Sequence, residues 1–389
     1  MEKYDYIIAG SGCAGLSLLY RILLEPTLQN KSILVVDKDH KKNNDRTWCY
    51  WEKKPGLFEK IVHAKWNTLE FLSTNFEEQL DLGAYTYKMI QGIDFYDFVL
   101  DFAKKFKNVV FKYENIVAIS SESETTTLKT TKNSYKSNFI FNSTNIFQPK
   151  ITKENSLLQH FTGWVIKTEK PVFDPKVGRL MDFRVSQKNG TTFMYVLPTS
   201  NTEALVEYTL FSPEILEKET YNLALENYIK NELKISNYSI KHKEFGVIPM
   251  SLAKFEKNPK KNIINIGTSG GFTKASSGYT FQFIQKDVAE IVKNLKENKS
   301  PISKISFREK IYNWYDATLI DVLLSEKLTG KAIFTKMFQS ISTEKILAFL
   351  GNESSLKDDF LIMKKLPIKP FLTSGLRQFK NNLKKYKKG

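Results

Sequence analysis

One carboxylate in this chain stands where ionisation is costly. Glu207 lies in Leu205-Val206-Glu207-Tyr208-Thr209, inside a strand-like stretch running from Phe193-Met194-Tyr195-Val196-Leu197-Pro198 to Leu210. A carboxyl on a pleated apolar surface keeps its proton, because desolvation penalises the charged form. A neutral acid in such a place can protonate a very weak base. Asp182, in Met181-Asp182-Phe183-Arg184, is a second candidate acid, and a salt bridge with Arg184 is the competing reading for it.

A second constellation opens the chain. Gly10-Ser11-Gly12-Cys13-Ala14-Gly15 follows a short apolar run over 4–9 and precedes a helical stretch over 16–24 that stops near Pro26. Residues 32–36 read as another buried strand, ending at Asp37, which lies 22 residues beyond Gly15. Strand, glycine turn, helix, strand and acid is the order that binds a dinucleotide. The glycines let backbone approach a pyrophosphate, the helix N-terminus faces its charge, and Asp37 can take ribose hydroxyls. A tight turn that holds nothing, or one that holds S-adenosylmethionine, is the alternative for this element alone.

Other elements must position these groups. Strand patterns run through 65–91, and 94–106 is an amphipathic helix with Asp94 as its expected N-cap. Residues 109–120, 126–131 and 139–143 read as strands, with 120–131 forming a hairpin. Four more, over 162–169, 181–187, 191–197 and 204–211, are expected to form a separate antiparallel sheet. A helix over 216–233 and a buried strand over 262–266 follow, the strand leading into Gly267-Thr268-Ser269-Gly270-Gly271. Residues 280–296 and everything from Ile305 onward read as helical. The expected architecture is mixed α/β in three parts. A discontinuous nucleotide domain comprises 1–60, 92–160 and 245–300. A substrate sheet takes 61–91 and 161–244, and a helical, basic region takes 301–389.

Bulk properties narrow the partners. The 389 residues suffice for two or three domains, and 28 Phe, 18 Tyr and 5 Trp suit a large apolar ligand. The net charge is +16, with ten Lys or Arg against only Asp358 and Asp359 after Ser355. No nucleic-acid-binding signature accompanies that charge, so an anionic membrane surface is the better partner and a solvated tail the bland one. Cys13 and Cys49 show no metal spacing, nor do the four histidines, and two cysteines suit a reducing compartment. No signal-peptide pattern and no apolar run of membrane-spanning length is present.

Several segments together resemble the flavoprotein family of bacterial and plant lycopene β-cyclases over roughly the first 300 residues. Asp45-Arg46-Thr47-Trp48-Cys49-Tyr50-Trp51 is similar to the family's Asp-Arg-x-Trp-x-Phe-Trp signature. Tyr87-Lys88-Met89-Ile90-Gln91-Gly92-Ile93-Asp94-Phe95-Tyr96, Met181-Asp182-Phe183-Arg184 and Lys274-Ala275-Ser276-Ser277-Gly278-Tyr279 resemble three further blocks. Leu205-Val206-Glu207-Tyr208-Thr209 resembles the plant Phe-Leu-Glu-Glu-Thr motif, with Tyr208 in place of the second acid. Ala275 stands where the family has proline. Compared with flavin hydroxylases, Gly267-Thr268 lacks the aspartate of their late Gly-Asp motif.

The resemblance implies a Rossmann-like FAD domain of the glutathione-reductase/hydroxylase type with an inserted antiparallel substrate sheet. It implies that linear ends of lycopene and related carotenoids become β-ionone rings, with no net redox change, on reduced FAD recharged by NAD(P)H. Glu207, and alternatively Asp182, would be the acid. Gly10, Gly12, Gly15, Asp37, Arg46, Gly267, Gly270 and Gly271 would hold the cofactor, and Trp48, Tyr50, Trp51 and Tyr279 would face the substrate cation. A substrate of that kind places the protein in the cytoplasm, against the inner face of the cell membrane. A redox flavoenzyme on the same fold, a hydroxylase or an isoprenoid reductase, is the main alternative. A non-catalytic lipid carrier is the other.

Overall fold

The computed structural model describes residues 2–386 except Ser123. The N-terminal apolar run forms the strand Lys3–Ala9, in which Ile7, Ile8 and Ala9 are fully buried. It pairs in parallel with Ile33–Asp37 on one side and Ser134–Asn142 on the other. Val109–Tyr113 and Ile263–Asn265 extend the two edges, also in parallel. Helices Cys13–Leu24 and Phe281–Lys296 pack Leu16, Leu19, Ile284 and Val288 into one core, while Ile7, Leu34, Val36 and Ile140 face another. A parallel sheet needs both faces covered in this way, which is why its strands read as unbroken apolar runs. Because these five strands run one way, the residues at their carboxyl ends, Gly10, Asp37, Ser143 and Gly267, gather at a single edge. The hairpin Ile116–Glu122 and Thr125–Thr130 joins the far end of Ser134–Asn142.

The second sheet is built from long strands. Its order is Tyr238–Ser251, Ser156–Thr168, Glu203–Ser212, Thr191–Pro198, Val177–Asp182, Thr68–Ser73 and Phe76–Asp81. Every pairing is antiparallel except that of Val177–Asp182 with Thr68–Ser73. One face, through Trp164, Met194, Val206 and Tyr208, packs on helix Lys218–Asn231. The other face looks toward the nucleotide sheet and the C-terminal helices. Those helices, Phe307–Leu324, Gly330–Ser340, Thr343–Leu350, Leu356–Lys365 and Ile368–Tyr386, contribute Ile320, Phe334, Phe338 and Leu347 to the core beneath it. No helix among the described residues is long and apolar enough to cross a membrane.

Two expectations are corrected. Residues 61–91 do not all join the substrate sheet. Thr86–Gln91 pairs with both Thr47–Glu52 and Ala64–Trp66 in a separate three-stranded sheet, and only the strands between Ala64–Trp66 and Thr86–Gln91 join the large one. Thr86–Gln91 has four consecutive buried residues because it lies between two cores, a setting that alternation alone does not specify. The helix expected from Asp94 starts at Gly92 instead, with Gln91 at the N-cap and no side-chain cap. Asp94 lies in its first turn, where a carboxylate still favours the helix dipole.

Candidate active site

A single cross-strand row brings the acid chemistry together. Tyr195, Glu207, Gly163 and Glu244 lie opposite one another on four adjacent strands. Residues directly opposite project from the same face. Gly163 separates the two glutamates, and Glu244 and Leu205 close over the place a side chain would take. A Cβ there would stand 3.0 Å from Glu244 Cγ and 3.1 Å from its Oε1. Across that glycine the two carboxyls face each other, and each shifts the proton affinity of the other. Thr209 Oγ1 donates to Glu207 Oε1 at 2.7 Å, and Thr47 Oγ1 donates to Glu244 Oε2 at 2.8 Å.

Burial pushes Glu207 well above the usual carboxylate range, and the neighbouring Glu244 adds to this against the opposing Thr209 bond. Glu244 is raised by burial as well, but the Thr47 hydrogen bond, the neighbouring Glu207 and the charges of His242 and Arg46 pull it back down. Two carboxyls facing each other in a buried site resist ionising together, and these opposed influences put the proton on Glu207.

The surroundings are oily and aromatic. A cavity of about 850 Å³ is lined by Glu207 and Glu244 together with Trp48, Tyr195, Leu205 and Tyr279. Burial raises the Cys49 thiol, and both glutamates raise it further. The Tyr279 hydroxyl lies 3.5 Å from that of Tyr87, while burial pushes its pKa up to about 12. These hydroxyls therefore remain neutral dipoles beside the acid.

The glycine turn fits a dinucleotide. Gly10 has φ +99° and Gly15 would drive a Cβ to 2.0 Å from the Gly10 carbonyl oxygen, so both are required by the turn itself. Gly12 differs, since a Cβ there would meet nothing within 4 Å. Space for an approaching group is therefore kept in front of the backbone. Gly12 is also the N-cap of Cys13–Leu24 and makes no side-chain cap, leaving the helix's first N–H groups free for an anion. Asp37 accepts from Ser11 N at 2.7 Å, Ser11 Oγ at 2.9 Å and Asp39 N at 3.0 Å, so it orders the loop and has little acceptor capacity left for a ribose. Gly267, at φ +63°, sits against Ala14, where a Cβ would come within 2.7 Å of the alanine Cβ. The late glycine turn is thereby seated on the first helix, and its Gly270 and Gly271 line the cavity with Arg46.

Comparison with known proteins bears on this arrangement. Residues 5–376 match the family described as "Lycopene cyclase protein". The chain belongs to the lycopene cyclase family. Over 142 residues it is 28% identical to a lycopene beta-cyclase of Paracoccus sp., a match spanning 35% of this chain and 36% of that relative. Among solved structures, a flavoprotein/dehydrogenase from Cytophaga hutchinsonii superposes with a TM-score of 0.65 at 11% identity, over 98% of this chain and 100% of that one. A geranylgeranyl bacteriochlorophyll reductase-like protein from Thermoplasma acidophilum gives 0.60 at 10% identity, over 100% and 99%. A flavin-dependent brominase, Bmp2, gives 0.61 at 12%, over 99% of each chain. At such identities these likenesses establish the fold, which is the mixed α/β arrangement of that flavoprotein class.

Within this lycopene cyclase family chain, not every expected site residue faces the cavity. Glu207, Arg46, Trp48, Tyr279, Gly270 and Gly271 line it. Asp182 does not. It lies opposite Met194, on the face that packs against helix Lys218–Asn231. There it is fully buried and bound by Arg184 Nη2 at 2.8 Å, Arg184 Nε at 3.0 Å and Tyr228 Oη at 2.7 Å. Burial alone would raise its pKa, but these bonds outweigh it and hold the carboxyl below the usual range. A charged, ion-paired group on the wrong face is no proton donor, so the salt-bridge reading stands. Tyr50 is also corrected. Its ring stacks on Phe281 at 4.6 Å within the nucleotide-domain core. Trp51 packs edge-on to Tyr279 at 4.5 Å and donates its indole N–H to the Leu347 carbonyl at 3.0 Å, so it buttresses the wall without lining it. Glu244 and its spacer Gly163 were missed. The only sequence signal for Glu244 is that it shares an alternation phase with His242 and Gly246, in a run crowded with lysines.

Proposed function

We propose that this chain is a lycopene β-cyclase, converting the linear ends of lycopene to β-ionone rings by way of γ-carotene to β-carotene, without net redox change. The observation that carries the reading is Glu207, a carboxyl kept neutral by burial and lining a cavity whose wall beside it is aromatic and aliphatic. An alkene is a very weak base, and only an acid that is protonated on arrival of the substrate can protonate it. Glu207 gives its proton to C2 of the end group. The cation at C1 is attacked by the 5,6 double bond, and loss of the C6 proton completes the ring. The Trp48 face and the un-ionised phenols of Tyr195 and Tyr279 shelter positive charge without offering it an anionic nucleophile, each aromatic face contributing about 0.5–2 kcal/mol. Walls of Leu197, Leu205 and Phe161 exclude water that would quench it.

FAD is the cofactor that the open Gly12 turn and the glycine-lined cavity suit, with NAD(P)H as its reductant. Reduced flavin would supply fixed negative charge opposite the developing cation. Gly12 and the free N–H groups of Cys13–Leu24 would hold its pyrophosphate, and Arg46, Gly270 and Gly271 its inner half.

Membrane contact fits the last helix. Ile368, Leu372, Leu376 and Phe379 are each more than half exposed and follow helical spacing along one face, flanked by Lys369, Arg377 and Lys380. The same helix contributes Gln378 to the cavity wall, which links that face to the substrate's route. On this reading the protein works at the inner face of the cell membrane. Flotation with anionic liposomes should recover the wild type in the lipid fraction at low salt, and the Leu372→Asp/Leu376→Asp variant should stay in solution. Equal flotation of both would remove this surface from the account.

The decisive assay is anaerobic incubation of the full chain with FAD, NADPH and lycopene in liposomes. A cyclic product of unchanged mass is expected. Added oxygen would instead indicate a hydroxylase, and two added hydrogens a reductase.

A further inference from the structure

Cyclisation needs a base as well as an acid, and the fold places a second carboxylate beside the first. Resting on the cyclase reading above, we propose that Glu207 and Glu244 form a one-proton dyad, in which Glu207 protonates C2 and Glu244 removes the proton from C6. Three features of the structure carry this. Glu244 lines the same cavity as Glu207 and comes from the strand on the far side of Gly163. The glycine holds the two carboxyls together, since any side chain would fill the space through which Glu244 reaches. The Thr47 hydroxyl donates to Glu244 at 2.8 Å, which favours its ionised form.

The chemistry matches that spacing. In the closed ring C2 and C6 both adjoin C1, so the proton enters and leaves at atoms two bonds apart. Two carboxyls on one cavity wall, set opposite each other across a single glycine, can serve both without any movement of the substrate. The O–H bond of Glu207 breaks as the C1–C2 π pair forms the new C2–H bond. The C5–C6 π pair then closes the C1–C6 bond and leaves a cation at C5. The C6–H bond breaks toward the Glu244 carboxylate, and its electron pair becomes the C5–C6 double bond. The proton passes from Glu244 to Glu207 across the glycine, and the pair is reset with no oxidant, reductant or exchange with water. The charged and titratable neighbours of the pair are Arg46 and Cys49 beside the signature strand, Tyr87, Tyr195, Tyr279, and His242 on Glu244's own strand. The phenols and the thiol are all held neutral by burial, so the dyad is the group that changes charge.

The test uses the FAD-loaded full chain in wild-type, Glu207→Gln, Glu244→Gln and Gly163→Ala forms. Infrared titration of the protonated carboxyl carbonyl stretch, without lycopene, should show a buried carboxylic acid persisting above the ordinary carboxylate range that Glu207→Gln removes, distinct from that of Asp287, whose pKa burial raises to about 7. In Glu244→Gln and Gly163→Ala that acid should titrate at lower pH, because the neighbouring charge is lost or displaced. With lycopene in liposomes, Glu244→Gln should turn over about 10²-fold slower or worse, the range typical of a lost general base. A titration unchanged in both Glu244→Gln and Gly163→Ala, or turnover of Glu244→Gln within threefold of wild type, overturns the dyad. If the wild type converts no lycopene, the cyclase reading and the C6 assignment fall together. The infrared titration then still decides whether the two carboxyls share a proton. Should Glu244→Gln fail to fold, Gly163→Ala alone carries the comparison, since it keeps both acids.

Discussion

Replacing Glu207 with glutamine should stabilise the folded protein at neutral pH and bring no gain in acid. The wild-type carboxyl is raised well above its ordinary value by burial and by Glu244. Below about pH 4 the group is protonated in both folded and unfolded chains and contributes nothing. Above that the unfolded chain ionises while the folded chain does not. Each further pH unit then costs the folded state about 1.4 kcal/mol until the folded pKa is reached. At pH 6 this amounts to about 2 kcal/mol. Glutamine keeps the shape and still accepts from Thr209, so it forfeits no more than about 1 kcal/mol of hydrogen bonding. It also removes the acid that competes with Glu244 for a proton. The net expectation at pH 7 is a gain of about 1–3 kcal/mol, seen as a rise of a few degrees in Tm. Thermal melts of both proteins from pH 4 to pH 8, at one fixed FAD concentration, read it directly. The curves should converge at the acid end and separate toward neutral pH. A variant that melts lower at pH 7, or a gap independent of pH, would show that Glu207 is ionised in the fold and would refute the neutral-acid argument.

The same substitution at the other carboxylate should act with the opposite sign. Asp182→Asn leaves Arg179 and Arg184 without their buried partner and should cost about 3–5 kcal/mol at neutral pH. Because Asp182 is held low, that cost should shrink as the pH falls through its folded value, and a gap that widens in acid would contradict the ion pair. Gly12→Asp should leave Tm within the equivalent of about 0.5 kcal/mol and weaken flavin binding, measured by fluorescence titration, because its Cβ points into open space. Gly15→Ala should lower Tm by closing on the Gly10 carbonyl; equal effects of the two on Tm would refute this division of roles.

What could be read from sequence was what is encoded locally. The glycine turn, its helix and Asp37 fall within one continuous stretch, and turn chemistry alone places them. Glu207 was readable because a charged residue interrupts an apolar strand. Its partner was not. Glu244 sits in Tyr238–Ser251, an edge strand whose alternating exposure looks like solvated surface, with Lys241 and Lys243 on either side of His242. Only pairing through Gly163 turns it inward, and register between strands distant in sequence is not a local property. Asp182 went wrong for a related reason. The pairing shifts between Arg179 and Asp182, and such an irregularity decides which face a side chain takes. Trp48 and Tyr50 share one face of their strand, where Tyr50 is covered by Phe281 in the nucleotide-domain core, while Trp51 points to the opposite face and joins the core beneath the substrate sheet.

The seating of Gly267 on Ala14 has a consequence for how the chain is made. Lys3–Ala9 leaves the ribosome before its partner Ser134–Asn142, which follows more than a hundred residues later, and Ile263–Asn265 comes later again. The nucleotide sheet therefore cannot close until the whole inserted sheet has been synthesised. Long-range parallel pairing of this kind forms slowly, since loop closure precedes the contacts that reward it. During that interval Ile7, Ile8 and their neighbours are without their final cover, which makes the nascent chain a natural client for chaperones. Cofactor loading becomes a late step, one that reports completion of the fold.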